Sequence, residues 1–249
     1  MRKIIAPLMS FVVVLLVWDL VVRWEIVQHF LLPSPLEVWQ ALLELRPELS
    51  TAALSTFSST LIGFFWSAIL GFLVALLFSA SSTLKQAILP FAVFFQTVPI
   101  VAIAPLLVIW FGFGAPTVRA SAFIVSFFPI LANALTGLSQ TDPQLLELFQ
   151  IYRASRWQKI FYLQIPASLS YVVAGLKISS GLAIIGAIVG EFVAGGGLGG
   201  MIDSARTQQR VDVVFAALIL SSFLGILFVS LMQILTKGLL RWRPFFTPH

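Results

Sequence analysis

Two charged side chains, Lys177 and Glu191, fall inside one long apolar run. An ionisable group in that setting is a functional candidate by default, because lipid penalises charge. The two lie fourteen positions apart. At about 100° per residue they return to nearly one face of a helix, yet roughly 21 Å separates them along its axis, so they do not pair with each other. Lys177 is close enough to the preceding polar loop either to snorkel to the interface or to face a path, and Glu191 falls at the far edge, where solvation is cheap. A second polar set sits in residues 88–111, where Gln96 and Thr97 accompany Pro90, Pro99 and Pro105. Proline rings free carbonyls that neighbours or a wet cavity must satisfy. Gln96, Thr97, Pro99, Pro105, Lys177 and Glu191 are therefore the candidates for lining a path. Asp19 and Arg23, one turn apart, read more simply as an i,i+4 ion pair.

Covalent and metal chemistry find little here. The chain has no Cys, which excludes disulfides and thiolates, and its two His, His29 and His249, leave little for a metal site and no base inside an apolar run. The run Gly195-Gly-Gly-Leu-Gly-Gly suggests a phosphate loop but lacks the Lys-Ser/Thr that would grip phosphate, and it follows a membrane helix instead of a strand. It reads as a flexible turn.

The elements that must position these residues are membrane helices. Of 249 residues, 59% are hydrophobic and 10% charged, and the mean hydropathy is +1.01; soluble domains run near ~25% charged. The net charge of +5 does not argue for nucleic acid, since Lys and Arg sit between apolar runs instead of on one solvated face. Six runs, residues 4–22, 53–79, 88–111, 117–138, 168–192 and 213–235, approach the roughly 20 residues needed to span a bilayer. Arg2-Lys3 before the first imitates a signal peptide, but Asp19 and Arg23 close that run without a small-residue cleavage site, so it reads as a retained anchor. With the N-terminus inside, Arg2, Lys3, Lys85, Arg153, Arg156, Lys159, Lys237, Arg241 and Arg243 face the cytoplasm, against Arg23, Arg46, Arg119, Arg206 and Arg210 outside. That asymmetry favours both termini inside. Ser34 and Pro35 start a short helix carrying Trp39, read as interfacial on the outer face. Nothing repeats internally, and residues 1–249 form one domain with a polar cytoplasmic loop at 139–166.

That loop carries the most specific signal. Pro143 starts a helix in which Leu145, Leu146, Phe149 and Tyr152 form an apolar stripe needing a partner groove. The layout resembles the "EAA" coupling loop of binding-protein-dependent ABC importer permeases, in which a Glu is followed six positions later by Gly and, after a spacer, by hydrophobic-x-hydrophobic-Pro. Glu147 takes the Glu position, Leu163, Ile165 and Pro166 the ending, and Leu148 and Phe149 replace two alanines. Ala154, Ser155, Arg156 and Trp157 also resemble the family, and Arg153 stands where Gly is usual. Arg153 is expected to extend the helix and to offer a cation to the partner. The segments Gln96-Thr-Val-Pro and Ile109-Trp-Phe-Gly are similar to the nitrate, sulfonate and taurine branch, whose relatives also serve bicarbonate and vitamin precursors.

The resemblance implies an all-α, polytopic protein of about six transmembrane helices with the type I ABC importer permease fold, in the bacterial inner membrane. It further implies coupling through Glu147, Leu148, Phe149, Arg153, Ala154, Ser155, Arg156 and Pro166 to two ATPase subunits that bind ATP and Mg, none of which this chain holds. A second copy of the chain and a substrate-binding protein complete the implied assembly, which delivers a small polar solute. Gly186 and Gly190 form a G-x-x-x-G that serves either dimerisation or packing within the chain. The alternative, an ion-coupled secondary transporter, calls for intramembrane carboxylates or His as relays and often for inverted repeats; Asp19 and Glu191 fall near the outer interface and no repeat is visible, which weakens it.

Overall fold

The computed structural model describes residues 2–28, 30–79 and 81–241. His29, Trp242, Arg243 and His249 lie outside the described residues, as do the side chains of Arg2, Lys3, Lys85 and Arg241. All elements among the described residues are helical: α1 (Arg2–Arg23), α2 (Pro35–Glu44), α3 (Arg46–Ser79), α4 (Ser82–Thr97), α5 (Ile100–Phe111), α6 (Ala115–Ser139), α7 (Pro143–Ile151), α8 (Arg156–Lys159), a π-helical turn (Ile160–Gln164), α9 (Ile165–Ala194), α10 (Gly197–Thr207) and α11 (Val211–Arg241).

Helix α6 is the axis of the bundle, and small residues set the distance of its neighbours. A Cβ on Gly63 of α3 would strike Ala122, and one on Gly71 would press on Ile130, so α3 runs parallel to α6. Gly175 sits on Asn133, Gly186 on Ser121 and Gly190 on Val118, which makes α9 antiparallel. The G-x-x-x-G of α9 therefore packs within the chain, where backbones approach closely. Gly181 faces Val229 and Gly225 faces Ile184, placing α11 antiparallel to α9. Buried hydroxyls stitch the same helices together. Ser67 Oγ donates to Phe123 O at 2.7 Å, Ser126 Oγ to Ser67 Oγ at 2.9 Å, and Ser179 Oγ to Ser126 O at 2.8 Å.

Among the described residues, four helical runs are long and apolar enough to cross a membrane: α3, α6, Arg156–Ala194 and Val211–Gly238. The third expected span, residues 88–111, is not one kinked helix but two, bent by 95° between Thr97 and Ile100. Pro99 explains the break. It has no N–H to give the preceding turn and holds Val98 out of the helical region, at φ −70° and ψ 123°. The pair still crosses the bundle. Phe95 stacks on Phe128 at 4.9 Å, Thr117 Oγ1 donates to Leu107 O, and Gly114 N–H donates to Ala194 O at 2.9 Å. Hence α4 starts where α3 and α6 finish, and α5 finishes where α9 does.

Helix α1 covers the first expected run, and its C-terminal half is tied to the segment before α2 and to α11 by Trp18, whose Nε1 donates to Pro33 O at 2.9 Å and whose ring lies 5.6 Å from Phe215. The Asp19–Arg23 pair forms at 2.7 Å. Counting the bent pair as one span gives five crossings among the described residues, with α11, antiparallel to α9, ending at the end that carries α7 and α8. At the opposite end Ser34 and Glu37 close a capping box on α2. There the glycine-rich run is only briefly a turn. Gly195, Gly196 and Gly197 take positive φ, and the chain re-enters a helix, α10, that the residue pattern did not announce.

Candidate docking face and mid-bundle cavity

Helix α7 is punctuated at both ends. Asp142 accepts from Gln144 N–H at 2.8 Å with Pro143 at the first position, so the helix starts as expected. It does not continue through Arg153. Ala154 N–H donates to Phe149 O and Arg153 N–H to Gln150 O, both at 2.9 Å, the paired bonds of a Schellman cap. Arg153 occupies the left-handed position at φ 52°. The expectation that it extends the helix is therefore corrected: the Gly position keeps its backbone conformation although the residue is Arg.

The apolar stripe is also divided differently. Leu145, Leu146 and Phe149 are half-buried, whereas Leu148, Ile151 and Tyr152 are exposed, the last two at 77% and 78%. An i, i+3, i+4 spacing puts those three on one face. Glu147, Arg153 and Arg156 are exposed beside them. Ser155 has a structural role, because its side chain and that of Gln158 close a capping box that starts α8. Ala154 is half-buried, Leu163 is buried, and Ile165 and Pro166 are half-buried at the root of α9. The hydrophobic-x-hydrophobic-Pro ending thus faces the bundle, while Trp157, Phe161 and Tyr162 join Tyr152 as exposed aromatic side chains.

The break between α4 and α5 opens a cavity of about 280 Å³ against α6 and α9, lined by Phe95, Gln96, Val98, Phe128, Ile178 and Ile185 among others. Gln96 supplies its one hydrogen-bonding side chain. Thr97 turns back to donate to Phe94 O at 2.7 Å, satisfying a carbonyl freed by the break. Pro99 forms the corner, and Pro105 is exposed on α5 outside the cavity lining. Discontinuous helices of this kind, at mid-depth of a bundle, are where transporters place solutes.

Residues 67–241 match the family model described as binding-protein-dependent transport system inner membrane component. The chain belongs to this family. It is 35% identical to the formylaminopyrimidine transport permease protein of Halalkalibacterium halodurans, over 95% of each chain. It is 33% identical to the riboflavin transport system permease protein of Chloroflexus aurantiacus, over 94% of this chain and 88% of that one. Its fold matches an inward-facing MetNI methionine ABC transporter chain with a TM-score of 0.63 and 18% identity, covering 77% of this chain and 94% of the other. The protein is a multi-pass inner-membrane permease subunit of an ABC importer. It works with a separate ATPase and a binding protein, and is itself not an enzyme.

The permease keeps its two intramembrane charges apart from the cavity. Lys177 lies one turn before Gly181, on the α9 face that meets α11, whereas Ile178 and Ile185 face the cavity. Lys177 is half-buried, and its carbonyl accepts from Ser180 Oγ at 2.7 Å. Glu191 departs from its expected solvated edge: it is 1% exposed. Its Oε2 accepts from Thr56 Oγ1 and from Gly199 N–H, each at 2.9 Å. Sequence reading missed Thr56, a threonine in an apolar helix whose only signal was its polarity.

Proposed function

We propose that two copies of this permease, with both termini in the cytoplasm, form the path of a homodimeric importer and present α7 and α8 to two ATPase subunits that bind ATP and Mg. The carrying observation is the exposed Leu148, Ile151 and Tyr152 face on α7, framed by helix caps and flanked by Glu147, Arg153 and Arg156. An apolar face between two capped ends is a preformed helix to lay into a groove. The basic excess on the α7 end supports a cytoplasmic position. Replacing Ile151 with Asp is expected to abolish co-purification of the ATPase while leaving the permease folded; full retention would overturn the docking assignment.

The solute proposed is an uncharged, ring-bearing molecule of vitamin-precursor type. Among the candidates that include sulfonates, taurine, nitrate and bicarbonate, it suits best a cavity walled by apolar and aromatic side chains with one amide, Gln96. The formylaminopyrimidine and riboflavin relatives point the same way. Proteoliposomes holding the permease, its ATPase and its binding protein are expected to take up such a solute only with ATP on the ATPase side. Uptake driven by an ion gradient without the ATPase would establish the secondary-transporter alternative, and a binding protein that retains nitrate or sulfonates but no heterocycle would overturn the solute class.

A further inference from the structure

The far end of α9 holds an arrangement that neither docking nor the cavity uses. Glu191, buried at the last turn of α9, reaches across to the start of α10 and to α3 at once. Its Oε2 receives the Gly199 N–H and the Thr56 hydroxyl, and Thr56 Oγ1 in turn accepts the Leu198 N–H at 3.0 Å. Its Oε1 has no partner among the described residues. The surroundings are built to its shape: a Cβ on Gly197 would collide with that carboxyl, and one on Gly199 with Ile188 O. Four of the N-terminal amides of a helix have no internal partner, and here two of them end on one Glu–Thr pair. At its other end α9 is continuous through the π-helical turn with α8, giving a helical run of 39 residues, Arg156–Ala194, about 58 Å long.

We infer that Glu191 is a positioning residue, the pin that fastens α10 and α3 to the tip of α9, so that the outer-face helix moves as one body with the helix rooted in the coupling loop. The proposal rests on the importer reading above. A rod of that length carries motion only as far as its last rigid joint, and past Ala194 the backbone alone offers three consecutive positive-φ glycines, the loosest joint available. The Glu191–Thr56 pair removes that looseness by bonding the helix beyond the joint directly to α9 and α3. α10 then follows α9 without needing contacts of its own to the partner.

The complete complex in proteoliposomes tests this. Glu191→Gln keeps an oxygen for Thr56 and Gly199 and is expected to transport within about twofold of wild type. Glu191→Ala is expected to keep basal ATP hydrolysis but to lose about tenfold of its stimulation by the binding protein, within the usual range of coupling between sites. Wild-type stimulation in the Ala variant overturns the proposal. Since the chain has no Cys, a Thr56→Cys, Leu198→Cys pair adds an arm that does not depend on the Ala variant folding. Oxidation of the pair is expected to leave transport unchanged relative to the same protein reduced. A block reversed by reductant would mean that α10 must leave α3 during the cycle, and the pin would be wrong. ATP-driven uptake by the wild-type complex tests the parent reading separately.

Discussion

At the scale of single residues, Arg153 is the most instructive. A non-Gly residue in the left-handed region is strained by roughly 1 kcal/mol, and here the strain is borne at φ 52° to close a Schellman cap. Arg153→Gly is therefore expected to stabilise the α7 turn by about 1 kcal/mol, seen as slower amide exchange at position 153 and at Ala154 than in the wild type. The same change should weaken ATPase association if the guanidinium contacts the partner. Equal association with a tighter turn would leave Arg153 without a docking role. The departure from Gly was visible in the sequence, but its conformational outcome was not. The choice between extending a helix and capping it depends on whether Ala154 N–H can reach Phe149 O, which no local pattern states.

Among the elements, α9 shows how far pattern reading goes. Gly186 and Gly190 were legible as close-approach positions; what they approach was not, because a small residue marks a short distance without naming the partner. The structure answers with α6, and the contacts differ in tightness. A Cβ on Gly186 would come within 2.8 Å of Ser121 O, whereas on Gly181 the nearest atom is Val229 Cγ2 at 3.8 Å. Gly186→Ala is accordingly expected to lower the thermal unfolding midpoint in detergent by several degrees, as a cost of about 1–3 kcal/mol for overpacking implies. Gly181→Ala should leave it unchanged or slightly raise it; equal effects would contradict the packing described. The broken α4/α5 pair was half legible. Three prolines announced a disturbance, and only Pro99, preceded by an extended Val98, produces the 95° corner. Pro90 and Pro105 are absorbed inside helices. Helix α10 was hidden because a glycine-rich start carries almost no helical propensity, and its N-terminus is held by Glu191 from another helix.

For the whole molecule, hydropathy marked the apolar spans and charge gave an expected direction, while long-range hydrogen bonds such as Gly114 to Ala194 fixed which ends coincide. The absence of Cys makes the orientation directly measurable. A membrane-impermeant maleimide is expected to label Thr207→Cys on intact cells and Gln158→Cys only after permeabilisation, the reverse pattern inverting the topology. The π-helical turn between Lys159 and Ile165 adds a final constraint, with Ile165 N–H bonded five residues back to Ile160 O. Such a turn holds one residue more than its α-helical equivalent, and each added residue rotates the rest of the helix by about 100°. The compass bearing of α8 around the membrane rod is therefore set by counting, not by contact. A relative one residue shorter between Lys159 and Pro166 would turn the exposed face of α8 to a different quadrant, so the length of that segment sets the direction in which α8 faces away from the bundle.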